Sequence, residues 1–252
     1  MLWLKSMTRR LVRGLVLAAL AVGHLSATGP ASSASAPPAL QRFLSLSDPA
    51  AVSHRALRRL DATCEGLGKS AWMDVWTELD ERGALQYRIA AEGGSDYIRT
   101  KIFRAALDAE QKMWASGVPD RAGITTDNYA FEDHGSESEG LAWLSIKPRR
   151  TETLLVDGSI FLRPSDGELL RLEGRLVKSP SFWVRRVEIV RHYQRLGGVR
   201  MPVALESAAN LLIGGRATLR MTYEYESVNQ QRVGNPQPRT RAGAPLQASI
   251  QP

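Results

Sequence analysis

Cysteine is almost missing from this sequence. With Cys64 alone in 252 residues no internal disulfide can form, so the fold must rest on its apolar core even in an oxidising compartment. Histidine is sparse as well, and His54 and His192 have no second histidine at i+2 or i+4 to complete a metal pair. Asp and Glu are absent from both ends, residues 1–36 and 228–252, which together hold seven of the 33 Lys and Arg. The remaining 26 basic residues face 26 acidic ones, so residues 37–227 are formally neutral despite a net charge of +7. Nucleic-acid binding thereby loses its support, because affinity for phosphates needs basic charge concentrated on the folded part.

Long apolar runs are lacking too. Leu15 to Val22 falls well short of the roughly 20 apolar residues of a membrane-spanning helix. It follows Lys5, Arg9, Arg10 and Arg13 and precedes the small-residue stretch Ser26 to Ala36, which is the order of a cleavable secretory signal. Residues 1–36 are therefore expected to be a signal peptide, cut between Gly23 and Ala36, that delivers the chain to the periplasm. Residues 228–252 carry Pro236, Pro238, Pro245 and Pro252 with little apolar content, and are expected to form a disordered tail.

Between these ends the hydrophobic period changes. Ser47-Asp48-Pro49 reads as a capped helix start, and Leu57, Leu60 and Cys64 at i, i+3 and i+7 predict a helical stripe with Arg55, Arg58 and Arg59 off it. Cys64 is then a small buried hydrophobe. From Ser70 the period falls to two, and residues 72–79 and 85–91 flank Asp80-Glu81-Arg82-Gly83 as a hairpin. After Gly93-Gly94, Ser95 or Asp96 can cap a helix running to about Ala115, whose apolar face (Ile98, Ile102, Ala105, Ala106) finds its nearest partner in that hairpin. Turn residues then recur at Asp157-Gly158, Ser165-Asp166-Gly167, Ser179-Pro180, Gly197-Gly198 and Gly214-Gly215. Between them Leu170, Leu172 and Leu176 alternate with Arg171, Glu173 and Arg175, and Leu219, Met221, Tyr223 and Tyr225 alternate with Arg220, Glu224 and Glu226. One wet and one buried face is the pattern of an antiparallel sheet. Eight to ten strands are expected, enough to curl strongly.

No catalytic constellation emerges. Ser136-Glu137-Ser138-Glu139-Gly140 lacks the first glycine that a nucleophile elbow requires, so Ser138 is not read as a nucleophile. Asp133, His134, Glu137 and Glu139 share a loop, but their spacing matches neither an EF-hand nor a zinc motif, and a solvated hairpin tip accounts for them. Gly93-Gly94-Ser95-Asp96 joins strand to helix without a phosphate-loop pattern and with its own acidic residue in the first turn, as a structural cap would have. Most of the six Trp residues fall in strand patterns, where aromatics are ordinary cross-strand partners. No metal or cofactor is expected.

Lys178-Ser-Pro-Ser-Phe-Trp183, Val187 to Tyr193, Gly197-Gly198, Met201-Pro202 and Tyr223-Glu-Tyr225 form a strand, glycine turn and proline-led strand series, preceded by the Asp166-Gly167 turn. Over Ala142 to Ser227 this series resembles outer-membrane lipoprotein-sorting (LolA/LolB-like) proteins. The resemblance implies an α+β fold, a large curved antiparallel β-sheet forming an incomplete barrel with helices packed on its concave face as a lid. It also implies a non-enzymatic periplasmic carrier or sensor that holds a lipid or lipoprotein acyl chain between sheet and helices. No residue here is equated with that family's functional positions; Leu219, Met221, Tyr223 and Tyr225 are the candidate apolar face because they share one side of the last long strand. The alternative is an envelope protein-interaction module without a ligand, and a third possibility is an exported hydrolase built around the acidic loop.

Overall fold

The computed structural model describes residues 37–46, 51–116, 123–137, 139–152, 154–178, 184–211 and 215–239. The expected signal peptide, the Ser47-Asp48-Pro49 cap, Ser138 and the Ser179-Pro180 turn lie outside them. Helix α1 (Pro38–Ser45) starts on a proline, buries Ala39, Leu40 and Phe43, and stops where the Leu46 N–H turns back to the carbonyls of Arg42 and Phe43. Then come β1 (His54–Cys64), β2 (Lys69–Leu79) and β3 (Leu85–Gly94). A helical arm follows, made of α2 (Asp96–Ile98), a π-helical turn (Arg99–Arg104) and α3 (Ala105–Ala115). Strands β4 (Tyr129–Ser136), β5 (Ala142–Pro148), β6 (Val156–Leu162), β7 (Leu169–Leu176), β8 (Val184–Leu196), β9 (Val199–Leu211), β10 (Gly215–Val228) and β11 (Gln231–Arg232) complete the described chain.

The eleven strands form one antiparallel sheet in the order β3-β2-β1-β10-β9-β8-β7-β6-β5-β4, with β11 on β10. It does not close: β3 and β4 are opposite edges. Because those edges are consecutive in sequence, the chain from Ser95 to Asn128 must travel from one edge of the sheet to the other. The arm lies on this crossing, which places α3 over the first strands. Gln111 Nε2 donates to the Leu85 carbonyl at 3.0 Å and the Tyr87 hydroxyl to Asp108 Oδ1 at 2.7 Å. Ile98, Phe103 and Leu107 join the same core as Leu60, Met73, Met221 and Tyr225.

The 70–94 hairpin forms as expected. Asp80 Oδ1 accepts the N–H groups of Arg82 and Ala84, and Gly83 takes the positive φ of 76° that closes the turn. Ser95 caps the arm through its backbone geometry without a side-chain hydrogen bond, and Arg99 instead ties Glu92 to Asp96.

Four expectations change. The stripe Leu57, Leu60, Cys64 belongs to strand β1, not a helix: His54, Ala56, Arg58, Leu60, Ala62 and Cys64 are buried at period two. The helical spacing misled because Arg58, taken as a solvent residue, points into the core, while Leu57 is fully buried on the opposite face. Asp157-Gly158 is no turn; it lies within β6, where Gly158 sits directly opposite Gly174 of β7. A Cβ on Gly158 would stand 2.0 Å from the Glu173 carbonyl oxygen, so the pair of glycines exists to let two backbones approach. Gly158→Ala is expected to cost about 1–3 kcal/mol by overpacking, read as a drop in the urea midpoint. On β7 itself Leu169, rather than Leu170, joins Leu172 and Leu176 in the core, because the β6–β7 register shifts at Phe161/Leu162.

The fourth change concerns the C-terminal segment. Residues 228–239 are ordered: β10 runs to Val228, β11 pairs back on it, and residues 233–239 cross the outer face to Asp61 and Asp74. Residues 240–252 lie outside the described part.

Candidate functional site

On β10 the side chains of Leu219, Met221, Tyr223 and Tyr225 alternate onto one face, and all four are buried. The β1 register sets Ala62, Leu60, Arg58 and Ala56 beside them in turn. Ala56 leaves room for the Tyr225 ring opposite it, and Tyr223 and Tyr225 stack at 6.2 Å with their planes 8° apart. The Tyr225 hydroxyl donates to the Pro202 carbonyl at 2.8 Å, and the His54 ring meets Tyr225 edge-on at 5.8 Å. This floor is apolar in its larger part but holds two buried arginines, Arg58 and Arg191.

Arg58 is 3% exposed and binds Glu110 of α3 through Nη1–Oε2 at 2.6 Å, and Glu110 is 4% exposed. Its guanidinium also lies 5.0 Å from the centre of the Tyr223 ring. Burial works against the charge on Arg58, yet the Glu110 carboxylate, with Tyr223 and Tyr225, raises its pKa above the ordinary arginine value. Arg58 therefore stays charged, and its contact with Glu110 joins the arm to the sheet at the candidate face. Arg58 Nε has no hydrogen-bond partner among the described residues. Arg191 on β8 stays charged against the same burial, aided by Tyr193, Tyr223 and Tyr129. Burial, and then Arg58, hold His54 down at about 3, so its imidazole is neutral. Burial raises the Tyr223 hydroxyl and carries Tyr225 well above the usual phenol range. None of these groups forms a nucleophile and base pair.

The acidic loop does not assemble. Glu137 pairs with Arg171 at 2.7 Å, Asp133 Oδ1 accepts the Gly135 N–H, and His134 lies against the Trp143 ring at 4.7 Å. Among the described residues no group of three or more His, Cys, Asp or Glu side chains could hold a metal ion. Cys64 is buried and burial pushes its thiol pKa up, which suits a packing role. Trp72, Trp76 and Trp143 are in strands but only partly covered, on the face away from the core. No described helix is long and apolar enough to cross a membrane.

Sequence reasoning missed Glu110 and Arg58 as partners, since nothing local links residues 52 positions apart. It also missed the opposite face, where an open depression of about 660 Å³ runs from Asp61 and Trp72 past Thr218 and Arg220 to Glu206 and Glu188.

No family model and no curated protein matches the sequence. Among solved structures the chain is similar to an outer membrane lipoprotein-sorting protein domain from Vibrio parahaemolyticus, at 10% identity and TM-score 0.40, covering 75% of this chain and 91% of that one. It is also similar to a DUF1329 family protein from Desulfovibrio piger, at 9% identity and TM-score 0.39, covering 74% and 88%. MucB, crystallised in complex with MucA(peri), matches at 11% identity and TM-score 0.20 over 76% and 94%.

Proposed function

We propose that the protein is a non-enzymatic carrier or sensor, exported to the periplasm by residues 1–36, that holds a lipid or lipoprotein acyl chain between the Leu219, Met221, Tyr223, Tyr225 face and the helical arm. In this reading the arm covers the concave side of the sheet. The observation that supports it is the way the arm is seated: besides the apolar contacts of Ile98, Phe103 and Leu107, the buried Arg58–Glu110 ion pair ties it to the floor. Such a pair is a reversible fastening. When the arm lifts, both charges regain water, and their hydration offsets most of the Coulomb energy lost. Two apolar side chains of the same size would have no such compensation. The π-helical turn Arg99–Arg104 at the root of the arm is the sort of irregularity that marks moving or functional segments. Each methylene of an acyl chain taken from water then favours loading by about 0.8 kcal/mol.

The test is uptake of an NBD-labelled fatty acid, followed by fluorescence. Wild type should take it up. Arg58→Met with Glu110→Leu together should fasten the arm by apolar contact and slow uptake, while Met221→Trp should stay folded, displacing the arm, and weaken binding. Wild type with no uptake at all would overturn the proposal. A protein-interaction module is the second reading, favoured by the open 660 Å³ depression on the opposite face.

A further inference from the structure

The outer face carries a buried charge that its own strand does not explain. Asp74 projects from β2 on the side away from the core, beside Trp72 and Trp76, yet it is 0% exposed. What covers it is the segment 233–239. Val233 and Gly234 donate N–H groups to the Glu226 carbonyl at 2.9 and 3.3 Å, Arg59 Nη2 donates to the Gln237 carbonyl at 2.7 Å, and the Arg239 N–H donates to Asp74 Oδ2. The Arg239 guanidinium then grips Asp61 with both terminal nitrogens, at 3.0 and 2.9 Å, and stacks 5.1 Å from the centre of the Trp72 ring. Its Nε lies 3.0 Å from Asp74 Oδ1, within ion-pair distance though off the hydrogen-bond line. Arg59 braces the seat by bridging Asp74, at 3.2 Å, and Glu224, at 2.6 Å.

These are the contacts by which proteins recognise extended peptides: main-chain hydrogen bonds, prolines that pre-set an extended backbone, and an arginine held bidentately over an aromatic ring. Of this segment Pro236 alone is buried and Val233 packs partly buried against the core, while the rest is half-buried or exposed. Asp61 and Trp72, which hold Arg239, are also the first walls of the 660 Å³ depression, which continues across β10 and β9 past Thr218, Arg220 and Glu206. Its walls set both signs of charge and hydroxyls among apolar side chains such as Trp72, Ile189 and Val190, a mixture that suits a peptide.

We infer that this face is a docking site for an extended, proline-bearing segment of a partner protein whose arginine enters the Asp61–Asp74–Trp72 seat, and that residues 233–239 occupy the seat as a tethered stand-in. The partner's chain would run on from the seat into the depression. A tethered occupant acts at an effective concentration near the millimolar range, so free wild type binds such a partner weakly until the segment is displaced.

The experiment uses the full chain and a fluorescein-labelled peptide with the sequence of residues 233–239, read by anisotropy. Arg239→Ser, which vacates the seat, should bind the peptide at least about tenfold tighter than wild type. Adding Asp61→Asn to Arg239→Ser should abolish that gain. Should Arg239→Ser fold poorly, hydrogen exchange of the Arg239 amide in wild type supplies the readout: excess peptide should speed it by releasing the segment. Equal binding by wild type and a folded Arg239→Ser, or no change in exchange, would overturn the inference. Fatty-acid uptake does not enter either readout, so failure of the carrier proposal and failure of this one are separately visible.

Discussion

Glu110→Ala is expected to destabilise the protein by about 3–5 kcal/mol, the loss that follows when one partner of a buried ion pair is removed and the other stays. Arg58 would remain on β1 with Tyr223 and Tyr225 around it, charged and without its carboxylate. The carboxylate that raises its pKa is gone in this variant, but an arginine guanidinium keeps its proton even when buried, so it cannot escape by shedding one. The chain must therefore either keep a bare charge in the core or release the arm. Urea denaturation should show the lowered midpoint, and hydrogen exchange should show α3 opening ahead of the sheet. Arg58→Met with Glu110→Leu, which removes both charges and keeps the volume, should restore wild-type stability or exceed it. If Glu110→Ala costs no more than an exposed pair would, below about 1 kcal/mol, the pair does not hold the arm.

Acid should weaken the protein through His54. In the fold its pKa sits near 3, from an ordinary 6.5, because burial and then the neighbouring Arg58 disfavour the imidazolium. Unfolded chain therefore binds a proton that folded chain refuses throughout that interval, and stability falls as pH falls. It is fully present above about pH 6.5, and up to about 4 kcal/mol is lost on approaching pH 3, at 1.36 kcal/mol per unit. Tyr225 faces the ring from β10, and Glu78, Asp80, Glu81 and Glu226 line the cavity beside it; carboxylates in general add acid sensitivity only below about pH 5. His54→Gln separates them: it should flatten the limb between about pH 6.5 and pH 5, where carboxylates contribute little. A wild-type urea midpoint that holds steady over that limb would show that His54 takes up its proton in the folded state.

Much of the sheet was legible because its signals are local. The β2–β3 hairpin announces itself through Asp80 and Gly83, and β10 through the alternation of Leu219, Met221, Tyr223 and Tyr225. The arm was legible as a helix, though nothing marked its π-helical turn. Where the reading failed, the deciding partner was distant. Arg58 looked like a surface residue because Glu110 lies 52 positions on, and that turned β1 into a helix. Arg239 looked like part of a free tail because Asp61 lies 178 positions back. Gly158 looked like a turn because the glycine it needs, Gly174, is on the next strand. The candidate face was thus readable as apolar, but the charges that bear on its use were not.

Native mass spectrometry of the protein, purified without detergent, tests the central claim most directly. A carrier should arrive with extra mass matching an acyl lipid, and the Arg58→Met, Glu110→Leu protein should carry less of it at equal stability. Bare polypeptide mass in both, unchanged after incubation with excess fatty acid, would contradict a ligand between the sheet and the arm.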